Sequence, residues 1–239
     1  SRDLGASANR CAVSWRDLSR PASRAVVSST AAVAPRGKPA PAACVAPPGA
    51  RIEAENETVL AVSIRSDGQS DGGGTHIACL KPDGTWRLYD RDQWSKYFDD
   101  RRIATGAGGS WIGWTVLDTT SDQQTCSVAR LDLAAPGSVA QRFGVELPGT
   151  TCPLPGRPVV AANGAMAWLG SLGRPTFPGG TTGHVLGLTA AGTVVTLARV
   201  DTQPGAGGPI ALTDLAISAD GTTVTWREDG VPRSAPLTG

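Results

Sequence analysis

Short runs in which apolar and polar residues alternate fill most of this chain, and turn residues separate them. Four such runs occupy 51–56, 58–65, 75–81 and 85–90, with Asp-Gly or Gly-rich segments between several of them. Alternation with a period of two is typical of strands that bury one face, and Asp-Gly between two such runs is a hairpin signal. The pattern predicts a set of antiparallel hairpins, and only 93–100 is expected to form a turn of helix.

The same plan recurs further along the chain. Runs of this kind lie at 110–118, 126–133 and 138–145, then at 165–172, 184–189 and 193–200, and the last lies at 231–237. Asp-Gly and Ala-Gly pairs again separate several of them. Each group of about fifty residues therefore supplies three or four short strands.

The two ends of the chain carry a gapless fifteen-residue repeat. Residues 3–17 match residues 214–228, and Trp15 coincides with Trp226. Weaker copies between them bring Ile64, Trp114 and Trp168 to the matching place, with anchors 49 to 58 residues apart. Four short strands per unit, repeated in this way, predict an all-β fold, a β-propeller of about five blades in a single domain. The units are expected at 1–50, 51–100, 101–155, 156–209 and 210–239.

The last unit reaches only its third strand. Either the ring closes on an incomplete, three-stranded blade, or residues have been lost from one end of the chain. The Pro-rich stretch at 28–50 is expected to supply an irregular outer strand and a connection, because proline cannot sit in a central strand.

The segments 217–230 and 7–17 resemble the TolB/WD40-like propeller repeat. In that repeat a serine, a small residue and Asp-Gly precede an apolar strand that ends in an aromatic residue. Ser218, Asp220, Gly221 and Trp226 match it best, whereas the G-H and W-D pairs of true WD40 repeats are absent. The resemblance implies a fold and not a reaction, because propellers host many unrelated functions.

Composition and charge narrow the class of protein. The 239 residues carry 22 basic and 21 acidic side chains, which argues against a strongly basic nucleic-acid binder. No apolar run approaches the roughly 20 residues of a membrane-spanning helix. The excess of Ala, Gly, Pro and Arg is typical of a GC-rich bacterial genome. Because the chain begins at Ser1 without a leader, we expect a protein processed and exported to the cell surface or beyond, or a fragment.

Five cysteines lack metal-binding spacing and suggest disulfides in an exported protein. In propeller geometry Cys126 and Cys152 fall on the same face, so we predict that they pair. Cys44 is expected to pair with Cys11 or Cys79. The alternative is that all five are reduced and buried.

The segment 87–102 is the most distinctive candidate surface, because it combines aromatic and charged residues where an outer strand and a crossing loop are expected. Its candidate partner-binding residues are Arg91, Trp94, Tyr97 and Phe98. Phe177, flanked by prolines, is a second and weaker candidate. Such clusters are typical of interface hot spots, but the aromatic rings can equally cover a local apolar surface.

Other constellations have ordinary structural interpretations. We expect the tryptophan column to pack between blades rather than stack on ligands, and His76 and His184 to be solvated or hydrogen-bonded strand residues. Aspartates at 67 and 71 and at 118 and 122 are placed in equivalent hairpin loops, where calcium is an alternative to simple turn formation. Acids on or near first strands, which a glycosidase would need, are Asp3, Glu53, Glu55 and Asp214.

These observations favour a non-catalytic, secreted propeller that binds a protein partner in an extracellular or cell-surface assembly. No cofactor, nucleic acid or membrane span is expected. A carbohydrate-binding lectin propeller is the alternative, and a five-bladed glycoside hydrolase is the third hypothesis.

Overall fold

A computed structural model describes residues 43–65, 74–91, 98–120, 124–145, 154–172, 182–201 and 212–238. The chain divides into two compact units at residue 40, and these residues all belong to the second, Ala40–Gly239. The head copy of the repeat, with Trp15, and the proposed first blade therefore lie outside the described residues, and so does Cys11.

The described residues form four antiparallel sheets and contain no helix. The first sheet has the order β1 (Arg51–Glu55), β2 (Val59–Arg65), β3 (Gly74–Leu80) and β4 (Thr85–Arg91). The second has β5 (Phe98–Gly108), β6 (Trp111–Thr120), β7 (Gln124–Asp132) and β8 (Gln141–Gly144). In the third, β10 (Val159–Val160), β11 (Met166–Leu172), β12 (Thr182–Leu188) and β13 (Val194–Asp201) follow one another, and β9 (Leu154–Pro155) also pairs with β11. The fourth has β14 (Leu212–Ile217), β15 (Thr223–Glu228) and β16 (Val231–Pro236).

The predicted runs and the observed strands agree closely in all four sheets, and two positions need correction. The turn of helix expected over 93–100 is wrong at its end, because Phe98 begins β5 and pairs with Thr120. Phe98 is thus a strand residue and not a loop residue. Asp118 was expected in a hairpin loop but lies within β6 opposite Thr125. In each case the ladder between β5, β6 and β7 extends the strands further than the alternation predicts.

The sheets pack in series along the chain, each against the next. One apolar cluster joins the first and second sheets around Ile112 and Trp114, and another joins the second and third around Met166 and Trp168. A third joins the last two sheets around Trp226. The first strands of neighbouring sheets lie side by side, with β1 beside β5, β5 beside β10 and β10 beside β14. This arrangement is consistent with a propeller.

The contact between β5 and β10 depends on glycine. A Cβ added to Gly106 would lie 2.0 Å from the carbonyl oxygen of Pro158, and one added to Gly108 would lie 1.9 Å from that of Val160. Both neighbours are backbone atoms. The second and third sheets can therefore approach this closely only because these two positions have no side chain.

Turns at one end of the sheets are linked by asparagine. Asn56, in the β1–β2 turn, donates from Nδ2 to the carbonyl oxygen of Gly109 in the β5–β6 turn at 3.2 Å. Asn163, in the β10–β11 turn, donates in the same way to the carbonyl oxygen of Asp220 at 2.7 Å. The same device thus joins the first sheet to the second and the third sheet to the fourth.

The last hairpin confirms the turn predicted from Asp-Gly. Asp229 and Gly230 both have positive φ, 49° and 80°, as a type I′ turn requires. In such a hairpin the flanking residues Glu228 and Val231 form a hydrogen-bonded pair, and the pairs alternate from there. Pro232 and Pro236 consequently fall at positions whose backbone nitrogen faces away from β15.

A disulfide joins Cys44 to Cys79, with the two Cα atoms 5.8 Å apart. This bond confirms one of the two expected partners of Cys44 and excludes the other, Cys11. Cys79 is fully buried on β3, so the bond fastens the segment before β1 to an inner strand of the first sheet. Cys126 is also disulfide-bonded. Its predicted partner, Cys152, lies outside the described residues, so that pairing stays a prediction.

No helix in the described ranges is long and apolar enough to cross a membrane.

Candidate functional site

The tryptophan column packs between sheets, as expected. Trp114, Trp168 and Trp226 are all buried where two neighbouring sheets pack against each other, a contact that we call a sheet joint. The indole nitrogen of Trp114 donates to Oδ2 of Asp90 at 2.8 Å, and Arg142 binds the other oxygen of the same carboxylate at 2.9 Å. These contacts tie the second sheet to the first and use the tryptophan ring for cohesion.

Two β-bulges build a polar cluster at the same joint. Glu53 is the extra residue of a bulge in β1, and Tyr89 is the extra residue of a bulge in β4. Bulges re-aim side chains, and here both point toward His76 on β3 and Thr105 on β5. We call Glu53, Ser63, His76, Tyr89 and Thr105 the Glu53 cluster.

The carboxylate of Glu53 is the common acceptor of this cluster. Its Oε2 lies 2.9 Å from Nδ1 of His76, accepts the phenol hydrogen of Tyr89 at 2.5 Å and accepts the Thr105 hydroxyl at 3.3 Å. An ionised carboxylate can only accept, so Nδ1 of His76 carries the hydrogen. The prediction that His76 is hydrogen-bonded is confirmed, although the ring is buried rather than solvated.

The protonation of the cluster follows from these contacts. Burial raises the pKa of Glu53, but the hydrogen bonds from His76, Tyr89 and Ser63 outweigh it and hold that pKa below its ordinary value. Burial and then the Glu53 charge raise the pKa of Tyr89 well above its ordinary value. Glu53 is thus held ionised. It does not fit the general acid of a glycosidase, which needs a raised pKa.

Arg130 joins the second sheet to the third. This buried side chain of β7 donates from Nη1 to the carbonyl oxygens of Gly164 and Thr189, at 3.0 and 2.9 Å, and from Nη2 to that of Ala190 at 2.8 Å. Its guanidinium also lies over the rings of Trp111 and Phe143. Burial lowers the pKa of Arg130, but a guanidinium stays charged in proteins. The carbonyl oxygens and the two rings stabilise that charge.

The last joint is held mainly by apolar contact. The indole nitrogen of Trp226 is buried and has no hydrogen-bond partner in the described part of the chain. The first sheet supplies Asp90, opposite His76, as an acceptor at its joint, whereas the third sheet has Arg199 opposite His184. A donor at that position cannot accept the indole hydrogen.

The first strands surround a central cavity of about 490 Å³. Its lining comes from all four sheets and is mostly small or apolar, with Gly106, Ala107, Val160 and Ala216 among its members. Glu55 and Arg157 are its charged residues. Both are engaged, because Glu55 accepts from Lys81 at 2.8 Å and Arg157 donates to the carbonyl oxygen of Thr105 at 3.1 Å.

A second opening, which we call the rim groove, lies between β4 of the first sheet and the β7–β8 connection of the second. It has a volume of about 560 Å³ and is lined by Arg87, Leu88, Leu131, Gly137, Ser138, Val139 and Ala140. Leu131 is buried at its floor. Leu88 and Val139 line it with side chains that are 48% and 77% exposed.

Of the predicted partner-binding residues, the structure describes the backbone positions of Arg91 and Phe98. Arg91 ends β4 on an exposed position, and Phe98 begins β5. Trp94, Tyr97 and Phe177 lie outside the described residues, so the aromatic patch stays a prediction. Among the predicted acids, Asp214 lies in β14 and pairs with Arg227 at 3.1 Å on the surface, while Asp3 is outside the described ranges.

The aspartates considered for calcium binding lie mostly outside the described residues. Of the four aspartates, Asp118 is described, whereas positions 67, 71 and 122 are outside these ranges. The described residues contain no group of three or more His, Cys, Asp or Glu side chains that could hold a metal ion.

Sequence reasoning missed Arg130 and the joining role of Asn163. Arg130 occupies an ordinary polar position in an alternating strand, and nothing local marks it. A weak signal for Asn163 did exist. Ala162-Asn163-Gly164 resembles Ala219-Asp220-Gly221, although it lies one residue nearer to its tryptophan, and both glycines have positive φ.

Comparisons with known proteins assign no family. No family model matches the chain, and no curated protein matches it. Among solved structures, it is similar to the crystal structure of a puromycin hydrolase mutant complexed with PGG, with 14% sequence identity and a TM-score of 0.31. The match covers 75% of this chain and 36% of that one, so the chain spans about a third of the hydrolase's length. A likeness this weak assigns no activity.

Proposed function

We propose that this chain is a non-catalytic recognition module, built on a TolB-like propeller of about five blades, that binds a protein partner at the cell surface or outside the cell. The buried ionisable groups support this proposal. Glu53, His76, Asp90 and Arg130 are each hydrogen-bonded, and most of these contacts join neighbouring sheets. Ionisable groups whose hydrogen bonds hold the sheets together are poorly suited to acid–base catalysis. We therefore infer that the exposed rims bind the partner.

Export of the protein is supported by its disulfides. Cys44 and Cys79 are bonded, and Cys126 also forms a disulfide, in a domain whose sheets are otherwise held by modest apolar clusters. Such bonds persist in oxidising compartments and are rare in the cytosol.

The experiment that tests the function is partner capture from the secreted fraction of the source organism, run beside a glycan array and a screen for glycoside and amide hydrolysis. We expect a specific protein partner, no multivalent glycan binding and no turnover. The double variant Trp94→Ala, Tyr97→Ala should lose the partner while its melting temperature stays unchanged. Strong multivalent binding on the glycan array, or turnover that survives repurification, would overturn the proposal.

A further inference from the structure

The outer strands of the four sheets differ in how well their free edges are protected. Within the described residues, no strand pairs with β4 on the side away from β3. The fourth sheet ends instead on β16, where Pro232 and Pro236 remove two of the three outward-facing backbone donors. The outer strand β8 has only four residues. A strand edge that has no proline and no neighbour can act as a template for another strand, and among the described strands β4 has such an edge.

The surface beside that edge is apolar. Leu88 of β4 and Val139 are two of the large apolar side chains that the described residues leave exposed, and both line the rim groove above Leu131. Such side chains beside a free strand edge mark a site of strand pairing. By contrast, β13, the outer strand of the third sheet, exposes no large apolar side chain at its described positions.

The groove carries one positive charge that is held in place. Nη1 of Arg87 donates to the carbonyl oxygen of Ala135 and to Oγ of Ser138, both at 2.9 Å. These acceptors are neutral. The pKa of Asp83 is lowered first by hydrogen bonds from Thr85 and also by the charge of Arg87, but Arg87 forms no ion pair with a carboxylate of the described residues. Its remaining N–H groups and its charge are suited to an incoming carboxylate.

We propose that the edge of β4 and the rim groove bind an extended segment of the protein partner, which pairs with β4 as an additional strand of the first sheet. One of its apolar side chains lies between Leu88 and Val139, and one of its carboxylates binds Arg87. Backbone hydrogen bonds supply affinity in this mode, and alternate side chains supply specificity. This inference rests on the proposed function and gives it a site and a ligand class.

The groove fits an extended peptide better than a sugar. None of its lining residues is aromatic, so no ring is present to stack on a pyranose. Its exposed Leu88 and Val139 side chains and its single cation instead match a strand with alternating apolar and acidic side chains. A second copy of this chain is the other possible occupant, and the test below detects it.

The test uses the whole protein and peptides of about seven residues that alternate valine and threonine, with aspartate, asparagine or lysine at the centre. We expect the aspartate peptide to bind, the asparagine peptide to bind at least ten-fold more weakly, and the lysine peptide not to bind. Binding should slow hydrogen exchange of the amides at 85–91. Val139→Asp should weaken binding at least ten-fold, whereas Val231→Asp, at an exposed apolar position of β16, should leave it unchanged.

The possible failures are distinguishable. No binding by any peptide, binding without protection of β4, or equal binding by Val139→Asp would each overturn the proposed site. Self-association of the protein that protects β4 and is lost in Val139→Asp would replace the peptide with a second copy. A protein partner that binds Val139→Asp normally would leave the proposed function standing without this site. Glycan binding in place of a protein partner would overturn both.

Discussion

Replacing Gly108 with alanine tests how the second and third sheets are joined. The new Cβ would lie 1.9 Å from the carbonyl oxygen of Val160, and real Cβ atoms almost never approach another atom more closely than 3.0 Å. The backbone of β10 must therefore retreat by at least 1.1 Å, the difference between these distances. Because a backbone atom cannot rotate away, β10 must separate from β5 along this contact.

The expected cost can be stated as a free energy and as a temperature. Overpacking of this kind costs about 1–3 kcal/mol, and we expect the upper end because the obstacle is backbone. For a chain of this size that corresponds to a fall in melting temperature of roughly 6–12 °C. Urea denaturation followed by tryptophan fluorescence measures the free energy of unfolding, and differential scanning calorimetry measures the melting temperature.

Two other glycines supply a graded control. A Cβ on Gly113 would meet the flexible end of the Met166 side chain, so Gly113→Ala should cost only about 1 kcal/mol. Gly144, on β8, has open space around it and tests the effect of alanine in a strand alone. If Gly108→Ala matches Gly144→Ala to within about 0.5 kcal/mol, the close approach of β5 and β10 is refuted.

Three further sets of substitutions test the polar and covalent contacts described above. Glu53→Gln should lower the free energy of unfolding by about 2 kcal/mol near pH 7. Because folding holds the pKa of Glu53 below its unfolded value near 4.5, this stability difference should disappear as the pH falls through the lowered pKa. A stability difference that is unchanged in urea titrations near pH 3 would contradict this expectation. Replacing Cys44 and Cys79 with alanine opens a link across 35 residues and should cost about 3–4 kcal/mol, which thermal melts with and without reductant will measure. Arg130→Met leaves buried carbonyl oxygens without donors and should lower the free energy of unfolding by about 3 kcal/mol. Arg130→Lys should lower it by an intermediate amount. If chemical denaturation finds the methionine variant as stable as the wild type, the cation is not needed for stability.

Strand positions were predictable because they depend on local chemistry. Alternation and Asp-Gly turns fix where a strand begins and ends, and the type I′ geometry at Asp229 and Gly230 follows directly from that pair. The burial of Trp114, Trp168 and Trp226 was also predictable, because large apolar residues at one phase of a repeat fill equivalent joints.

The polar contacts between sheets were not predictable in the same way. Glu53 and Tyr89 are brought together by bulges, and a bulge adds one residue to a strand without altering its alternation enough to be recognised. Cys44 left two partners open, because the choice of Cys79 depends on how residues 43–50 cross the first sheet. Contacts that join distant parts of the chain depend on packing, which a single sequence does not record.

The link made by Asn163 has a chemical consequence over time. Asparagine before glycine slowly loses ammonia, because the unhindered backbone nitrogen of Gly164 can attack the side-chain carbonyl carbon. The cyclic imide that forms is then opened by water to aspartate or isoaspartate. In the folded turn that nitrogen donates to the carbonyl oxygen of Ala161 at 3.0 Å, which holds it away from the reaction. Conversion therefore requires the turn to open, and the resulting carboxylate would repel the carbonyl oxygen of Asp220 that Asn163 now binds. The rate at which a stored sample accumulates aspartate and isoaspartate at this position thus reports how often this turn opens.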